Sequence, residues 1–501
     1  MIEKYYDGAI EQVAAGLGTV EKNYLLVRYS GQFSVENLND TKQLEKNEDI
    51  FVQVHEFETG EITCAYEPYL TMICDGFRRY MTGTFEEFME TCDVYYLHRP
   101  VLLGYFNQDN TGREEIILLD EVAYEQERML AALERMLCAI ADRHPVLFVL
   151  NRFQLASKST MQLTARFLKC ENCNIGLVLG VSDIQAMPEF LVPDWEMLYE
   201  TLDDGSKIYH IGNSGRKKEE TIDDEKYVDY GSEKVYRKLQ NMVEFLDFDQ
   251  AAYYLETIER KIKFDNLLVD DAARFRMWLL FVKVSILRQD IPKALEICED
   301  LEKIHLAGKE EECAYEQDYL IATAYMYQGK LKEALEMAGE TYRIAGKMSD
   351  DYRMFLSELL EAKIQMSGWY NIFFCAQDVK IKESLIQNLI RYNYRNHLAH
   401  VYIYAYDNKP EIVKKANQSE ELLIYFSRGI RIAKKLGNEY LINMAYQKNI
   451  MLSSTNGMYE ISLLYSVRTY EALKDKRSIQ AGRIYSGIAY NLCAIGENER
   501  A

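Results

Sequence analysis

The sequence has 501 residues, with 58 Lys and Arg against 79 Asp and Glu, a formal net charge of −21. That length suffices for about two to four domains, each able to bury a core, and 48% hydrophobic residues exclude a disordered chain. The acidity argues against broad phosphate-backbone binding, so no nucleic-acid partner is expected within these residues.

Only 7 prolines occur, which favours long helices over a many-turned β-sandwich. Residues 1–7 lack the basic start and apolar stretch of a signal peptide. The strongest apolar run, 277–287, carries Lys283 and falls short of the ~18 residues that span a bilayer. Ten cysteines without dense spacing fit reduced thiols. A cytoplasmic protein without membrane contact is expected.

Four β-rich runs lie in the first part of the chain, at 24–29, 50–57, 146–150 and 175–180. The last two are nearly uninterrupted apolar runs, as in strands covered on both faces of a parallel sheet. Between them, 114–143 reads as a helix with Val122, Met129, Leu133, Met136, Leu137 and Ile140 on one stripe. Strands alternating with helices predict an α/β domain over 1–212 with a mostly parallel sheet. Residues 213–231 are charge-dense without apolar periodicity and read as a linker.

From 232 to 501 the patterns are helical, and they repeat. Ala294 follows a polar turn and Ala334 follows Gly329, 40 residues apart (334 − 294). Turn glycines recur at Gly368, Gly457 and Gly496. Glycine supplies a left-handed helix cap, and a small residue early in the next helix lets two helices approach. A period near 40 predicts a helical solenoid. The units resemble tetratricopeptide repeats: Ala322, Tyr325, Gly329 and Ala334 fill the motif's small and aromatic positions, and Trp278 its first aromatic one. The resemblance implies an all-α superhelix that binds a protein or peptide. Gly496 also places Ala501 on the small position of a second helix, so the pattern predicts that the solenoid is truncated there.

The α/β part resembles the signal-transduction ATPases with numerous domains (STAND), a branch of the AAA+-like P-loop proteins. The likeness lies in 144–160, His-Pro-Val-Leu-Phe-Val-Leu-Asn-Arg-Phe-Gln-Leu-Ala-Ser-Lys-Ser-Thr. The apolar strand, Gln154, Ala156, Ser159 and Thr160 match the family's pattern, whereas its acidic positions hold Asn151, Arg152 and Ser157. A P-loop enzyme needs a carboxylate there to hold Mg²⁺ and orient water. After the first strand, where G-x-x-x-x-G-K-[S/T] is required, stand Gly31, Ser34 and Asn37 with no lysine. After the fourth strand Ser182 stands near the position where relatives carry an arginine. These departures predict a pseudo-ATPase with no cofactor and no enzymatic activity in these residues.

Other motifs carry less. Cys170 and Cys173 have the C-x-x-C spacing of a zinc half-site or redox pair, but no second Cys/His pair lies near, and two loop cysteines are the plainer reading. His397 and His400 could share a helix face without a carboxylate partner at matching spacing. The 38 tyrosines, among them Tyr253, Tyr254, Tyr325, Tyr327, Tyr402, Tyr404 and Tyr406, suit either packing between helices or a peptide-binding groove.

Together these features describe a regulatory module upstream of an output domain. The segment opening at Arg28-Tyr29-Ser30-Gly31 resembles the sensory half of bacterial GGDEF-type diguanylate cyclases, and transcription regulators share the architecture. A nucleotide-driven STAND switch and a free-standing repeat adaptor are the alternatives. A small-molecule signal and a homo-oligomer remain open.

Overall fold

The computed structural model describes residues 2–17, 24–29, 49–58, 61–109, 119–170, 174–182, 187–202, 208–211, 229–265, 267–367, 383–405, 419–455, 457–472 and 479–501. The expected linker lies almost wholly outside these, as do Gly31, Ser34, Asn37, Cys173, Gly368 and Tyr406. By its contacts the chain divides into two compact units, one of residues 1–113 and 122–310, the other of 114–121 and 311–501.

In the first unit, α1 (Ile2–Gly16) leads into β1 (Tyr24–Tyr29), and β2 (Phe51–Glu56) follows. Next come α2 (Tyr69–Tyr80), α3 (Phe85–Thr91), α4 (Arg99–Asn107) and α5 (Val122–Ala141). Then β3 (Val146–Asn151), α6 (Lys158–Lys169), β4 (Ile175–Ser182), α7 (Val192–Leu202) and β5 (Ile208–Ile211) complete the α/β part. The strands form one all-parallel sheet in the order β2-β3-β4-β1-β5. Every residue of β3 and β4 is buried, which is why both read as continuous apolar runs.

On one face, Ile10 and Val13 of α1 pack on Leu25, Val27, Leu147, Val149 and Val178. Gly176 permits that approach, since a Cβ there would stand 2.7 Å from Val13 Cγ1. On the other face Tyr69 meets Phe148 and Phe167 edge-on, at 4.7 and 5.4 Å between ring centres. The predicted stripe of α5 is there too: Met129, Leu133, Met136, Leu137 and Ile140 are fully buried. The helix begins at Val122, after a 3-10 turn at Leu119–Glu121.

Two helical hairpins finish this unit: α8 (Glu233–Glu244) with α9 (Phe248–Phe264), and α10 (Asp271–Leu287) with α11 (Ile291–Leu301). The second unit continues with α12 (Glu310–Gln328), α13 (Leu331–Lys347), α14 (Asp351–Ser367), α15 (Glu383–Arg391) and α16 (Arg395–Ala405). It ends with α17 (Ser419–Leu436), α18 (Glu439–Thr455), α19 (Tyr459–Ala472) and α20 (Ile479–Ala494). An α/β domain with a parallel sheet, followed by all-α repeats, is therefore the architecture of the chain.

The repeat has one physical signature. Leu246, Gln289, Gly329, Gly457 and Gly496 all take positive φ, from 64° to 88°. In each turn the next residue's N–H reaches back five residues, as from Asp247 to Met242, Asp290 to Ser285 and Lys330 to Tyr325. These are Schellman caps, which satisfy the orphan carbonyls at a helix end. Five residues after four of these caps stands a fully buried small side chain, Ala251, Ala294, Ala334 and Ser462, whereas Ala501, five after Gly496, is exposed. The hairpin α8–α9 thus belongs to the same series, although no glycine announces it. Trp278 and Ala322 are buried, and Tyr325 and Tyr327 pack partly buried against the core around Ala322 and Ala334.

Gln289 is exposed and holds the left-handed conformation without glycine's freedom. Gln289→Gly is therefore expected to stabilise the first unit by about 0.5–1 kcal/mol, read as a higher urea midpoint. An unchanged or lower midpoint would refute the assignment of strain to that turn.

Candidate functional site

In an open parallel sheet the ligand crevice lies beyond the carboxyl ends of the strands, where the connections part. Here that point is between β1 and β4. From β1 the chain passes to β2 at one edge, and from β4 it passes to β5 on the far side of β1. Tyr29, Glu56, Asn151 and Ser182 are the last residues of β1, β2, β3 and β4.

Side chains close the ends of these strands onto one another. Tyr29 Oη donates to Asn151 Oδ1 at 2.7 Å, reaching across β4. Both residues are buried, and burial pushes the Tyr29 phenol up to about 12, against the lowering effect of Arg152. Arg152 takes a left-handed φ of 53°, and its Nε stands 3.4 Å from Glu56 Oε1. Gln154 grips the end of β4 with both ends of its amide: Nε2 donates to the Ser182 carbonyl at 3.1 Å, and Oε1 accepts from the Ser182 N–H at 3.3 Å. The position that would need a metal-binding carboxylate therefore holds a buried amide already engaged by a phenol. Among the described residues, the Glu56 carboxylate at the end of β2 faces a guanidinium.

The start of α6 is equally committed. The first N–H groups of a helix have no partner within it. Ser157 Oγ accepts from the Thr160 N–H at 3.2 Å, as an N-cap does. The other two N–H groups are taken by the turn entering α9. Ser159 N–H donates to Asp247 Oδ2 at 3.1 Å, and Lys158 N–H to Gln250 Oε1 at 3.3 Å. Asp247 sits at the N-cap of α9 yet makes no side-chain cap bond to its own helix. Burial raises its carboxyl above the usual carboxylate range, although bonds from Ser159 work the other way.

Lys158 pairs with Asp249 and stands 3.9 Å from Asp194. Burial opposes the Lys158 ammonium, but the hydrogen bond and charge of Asp249 outweigh it and hold its pKa above the ordinary value. Asp249 also accepts from Arg288 Nε at 2.9 Å, so one carboxylate ties α6 to the end of α10. Elsewhere Gln126 Nε2 donates to the Leu246 carbonyl at 2.8 Å, and Lys238 Nζ to the Ile62 carbonyl at 2.7 Å. Tyr254 Oη accepts from the Thr63 N–H and donates to the Glu61 carbonyl, both at 3.3 Å. The hairpin α8–α9 is thus bonded to the α/β part along its whole turn.

Of the residues singled out by sequence, Asn151, Arg152, Ser157 and Ser182 gather at these strand and helix ends. Tyr29, Glu56, Lys158, Asp247 and Gln250 were missed. The Asp-Phe-Asp-Gln turn at 247–250 reads as an ordinary helix cap, and nothing in it points 88 residues back to Ser159. Cys170 caps α6 and is half-buried. Among the described residues no group of three or more His, Cys, Asp or Glu side chains could hold a metal ion. His397 and His400 lie buried on α16. No described helix is long and apolar enough to cross a membrane.

No family model matches the sequence, and no curated protein matches it. Among solved structures, the chain is similar to a Signal Transduction ATPase with Numerous Domains protein with a tetratricopeptide repeat sensor from Pyrococcus horikoshii. The TM-score is 0.42 at 10% identity, covering 94% of this chain and 84% of that one. At that level the likeness is one of general layout, and what the chain does has to be read from its own residues. The comparisons lend no support to the likeness to diguanylate cyclases.

Proposed function

We propose that this chain is a non-catalytic regulatory module: a pseudo-ATPase α/β part carrying helical repeats that bind a protein or peptide. The observation that supports it best is the closed network at the strand ends. Phosphoryl transfer to water needs a metal-bound triphosphate, a lysine on its phosphates and a carboxylate beside the metal. The sequence has no Gly-Lys-Ser/Thr after β1. At the end of β3 the Asn151 amide is engaged by Tyr29, and Arg152 adds a positive charge that opposes a cation.

The bonded turn of α8–α9 fits the same reading. A hairpin held by Asp247, Gln250 and Tyr254 is a fixed part of the first unit rather than one released by nucleotide. Their aromatic and exposed side chains offer the area on which a peptide or protein would dock. In this reading the output governed by the module, such as a diguanylate cyclase or a DNA-binding domain, is supplied by other residues.

Isothermal titration of the whole chain with ATP and Mg²⁺ is expected to give no heat up to millimolar concentration, and no phosphate is expected to be released. Saturable binding with turnover would overturn the pseudo-ATPase reading in favour of a nucleotide switch.

A further inference from the structure

An amphipathic repeat helix turns its apolar side to the core and its polar side to water, and α19 does the reverse. Ser462, Ser466 and Thr469 face inward and are buried, whereas Ile461, Leu464 and Val467 are 46%, 49% and 36% exposed. The helix is firmly seated all the same. Asn491 Nδ2 donates to Ser462 Oγ at 2.9 Å, and that hydroxyl donates to the Ile450 carbonyl of α18 at 3.0 Å. Ser466 Oγ and Thr469 Oγ1 donate to the Ser462 and Tyr465 carbonyls of their own helix. These bonds satisfy the inward hydroxyls and fix the rotation of α19, so the apolar residues stay outside.

Stacking of one repeat on the next does not cover this face. Ile461, Leu464 and Val467 stand four, seven and ten residues after Gly457. The same places after Gly329 hold Glu333, Glu336 and Gly339 on α13, all exposed although α14 packs against that helix. After Gln289 they hold Lys293, Glu296 and Glu299 on α11. Both earlier helices thus carry polar residues or glycine where α19 carries three aliphatic ones. Spaced three apart, these form one ridge along the helix, and a contiguous exposed apolar patch marks an interaction site.

The charges beside the ridge point to its occupant. Glu460 and Arg468 are exposed, four residues before and four after Leu464. Ile461 and Val467 stand three before and three after it. About Leu464 the face is therefore matched in shape and complementary in charge, the property that a two-fold interface requires. A second α19, laid antiparallel, sets Leu464 on the partner's Leu464 and Ile461 against the partner's Val467. Glu460 then meets the partner's Arg468, and Arg468 meets the partner's Glu460. We propose that the occupant is a second copy of this chain, paired through α19 about a two-fold axis at Leu464. Three aliphatic side chains a copy fall well short of the ~800 Å² per partner of a standard complex, so the pair is weak and reversible. The pairing uses none of the strand-end residues and does not depend on the pseudo-ATPase reading.

Sedimentation velocity of the whole chain from about 1 to about 200 μM tests this. The mean mass is expected to rise toward that of two chains as concentration rises. Leu464→Glu, on an exposed side chain, is expected to weaken association at least about tenfold. Glu336→Ala, at the matching place on α13, is expected to leave it unchanged. Glu460→Arg is expected to abolish it over this range, since arginine then faces arginine on both sides of the axis. Adding Arg468→Glu to that variant is expected to restore it, because the reversed charges again meet their opposites. A chain that stays single throughout would overturn the proposal and leave the ridge to a different protein. A Leu464→Glu chain that pairs as the parent does, or a double reversal that fails to recover, would overturn it as well.

Discussion

Asp247→Ala is expected to lower the stability of the first unit by about 2–3 kcal/mol, more than a loop substitution normally does. The variant leaves the Ser159 N–H at the start of α6 without its acceptor, in a place where both residues are buried. It also removes the cap that joins α6 to the α8–α9 turn, so the loss falls on the first unit as a whole. Urea unfolding measures the size of the effect. Hydrogen exchange locates it, because the Ser159 amide is expected to lose protection. A chain with unchanged midpoint and unchanged exchange would show that this bond holds nothing.

Asp247→Asn separates the bond from the charge. The amide oxygen still accepts from Ser159, whereas the buried carboxylate is gone. Burial raises the Asp247 carboxyl in the folded chain, so between its ordinary pKa and that raised value the folded state binds more protons than the unfolded one. Its contribution therefore declines as pH rises through that window. Asp249 behaves oppositely. Burial opposes its charge, but Lys158 and Arg288 outweigh it and lower its pKa, so its contribution is lost as pH falls through the lowered value. The Asn variant is expected to be more stable than the parent near neutral pH and to lose the Asp247 part of the slope. A slope unchanged from the parent would contradict the assignment.

Trp278→Ala is expected to cost about 3–5 kcal/mol, the largest single effect among the repeats. Trp278 is 3% exposed on α10, with the ring of Phe281 6.4 Å away edge-on. Removing the indole leaves a cavity that two packed helices cannot collapse to fill. Within a repeat the two helices are buried only against their neighbours, so a hole in α10 is felt by the α10–α11 hairpin. Trp278→Phe, which keeps a ring, is expected to lose less than half as much. Equal losses for the two variants in chemical denaturation would place the cost elsewhere than in the cavity.

Both sites show why some of this molecule could be read from sequence and some could not. The strands β1, β3 and β4 stand where their apolar runs lie, because burial on both faces demands such runs. The four-residue β5 was not found: Ile208–Ile211 is too short to show a period and adjoins a charge-dense stretch. Among the turns, Gly329, Gly457 and Gly496 mark themselves, since only glycine takes positive φ without strain. Leu246 takes the same conformation with a buried leucine side chain, whose burial offsets the backbone cost. No local signal could reveal that turn.

The sequence by itself determined the class of the chain, the place of the sheet, the period of the repeats and the departures from a phosphate-binding site. Each of these is a local property: an apolar run, a glycine spacing, a missing lysine or carboxylate. Only the tertiary structure decided what stands in place of the missing groups. Tyr29 meets Asn151 across β4, and Asp247 reaches the start of α6 from the first repeat hairpin. Such partners are chosen by the fold, because a buried donor takes whichever acceptor the packing brings to it.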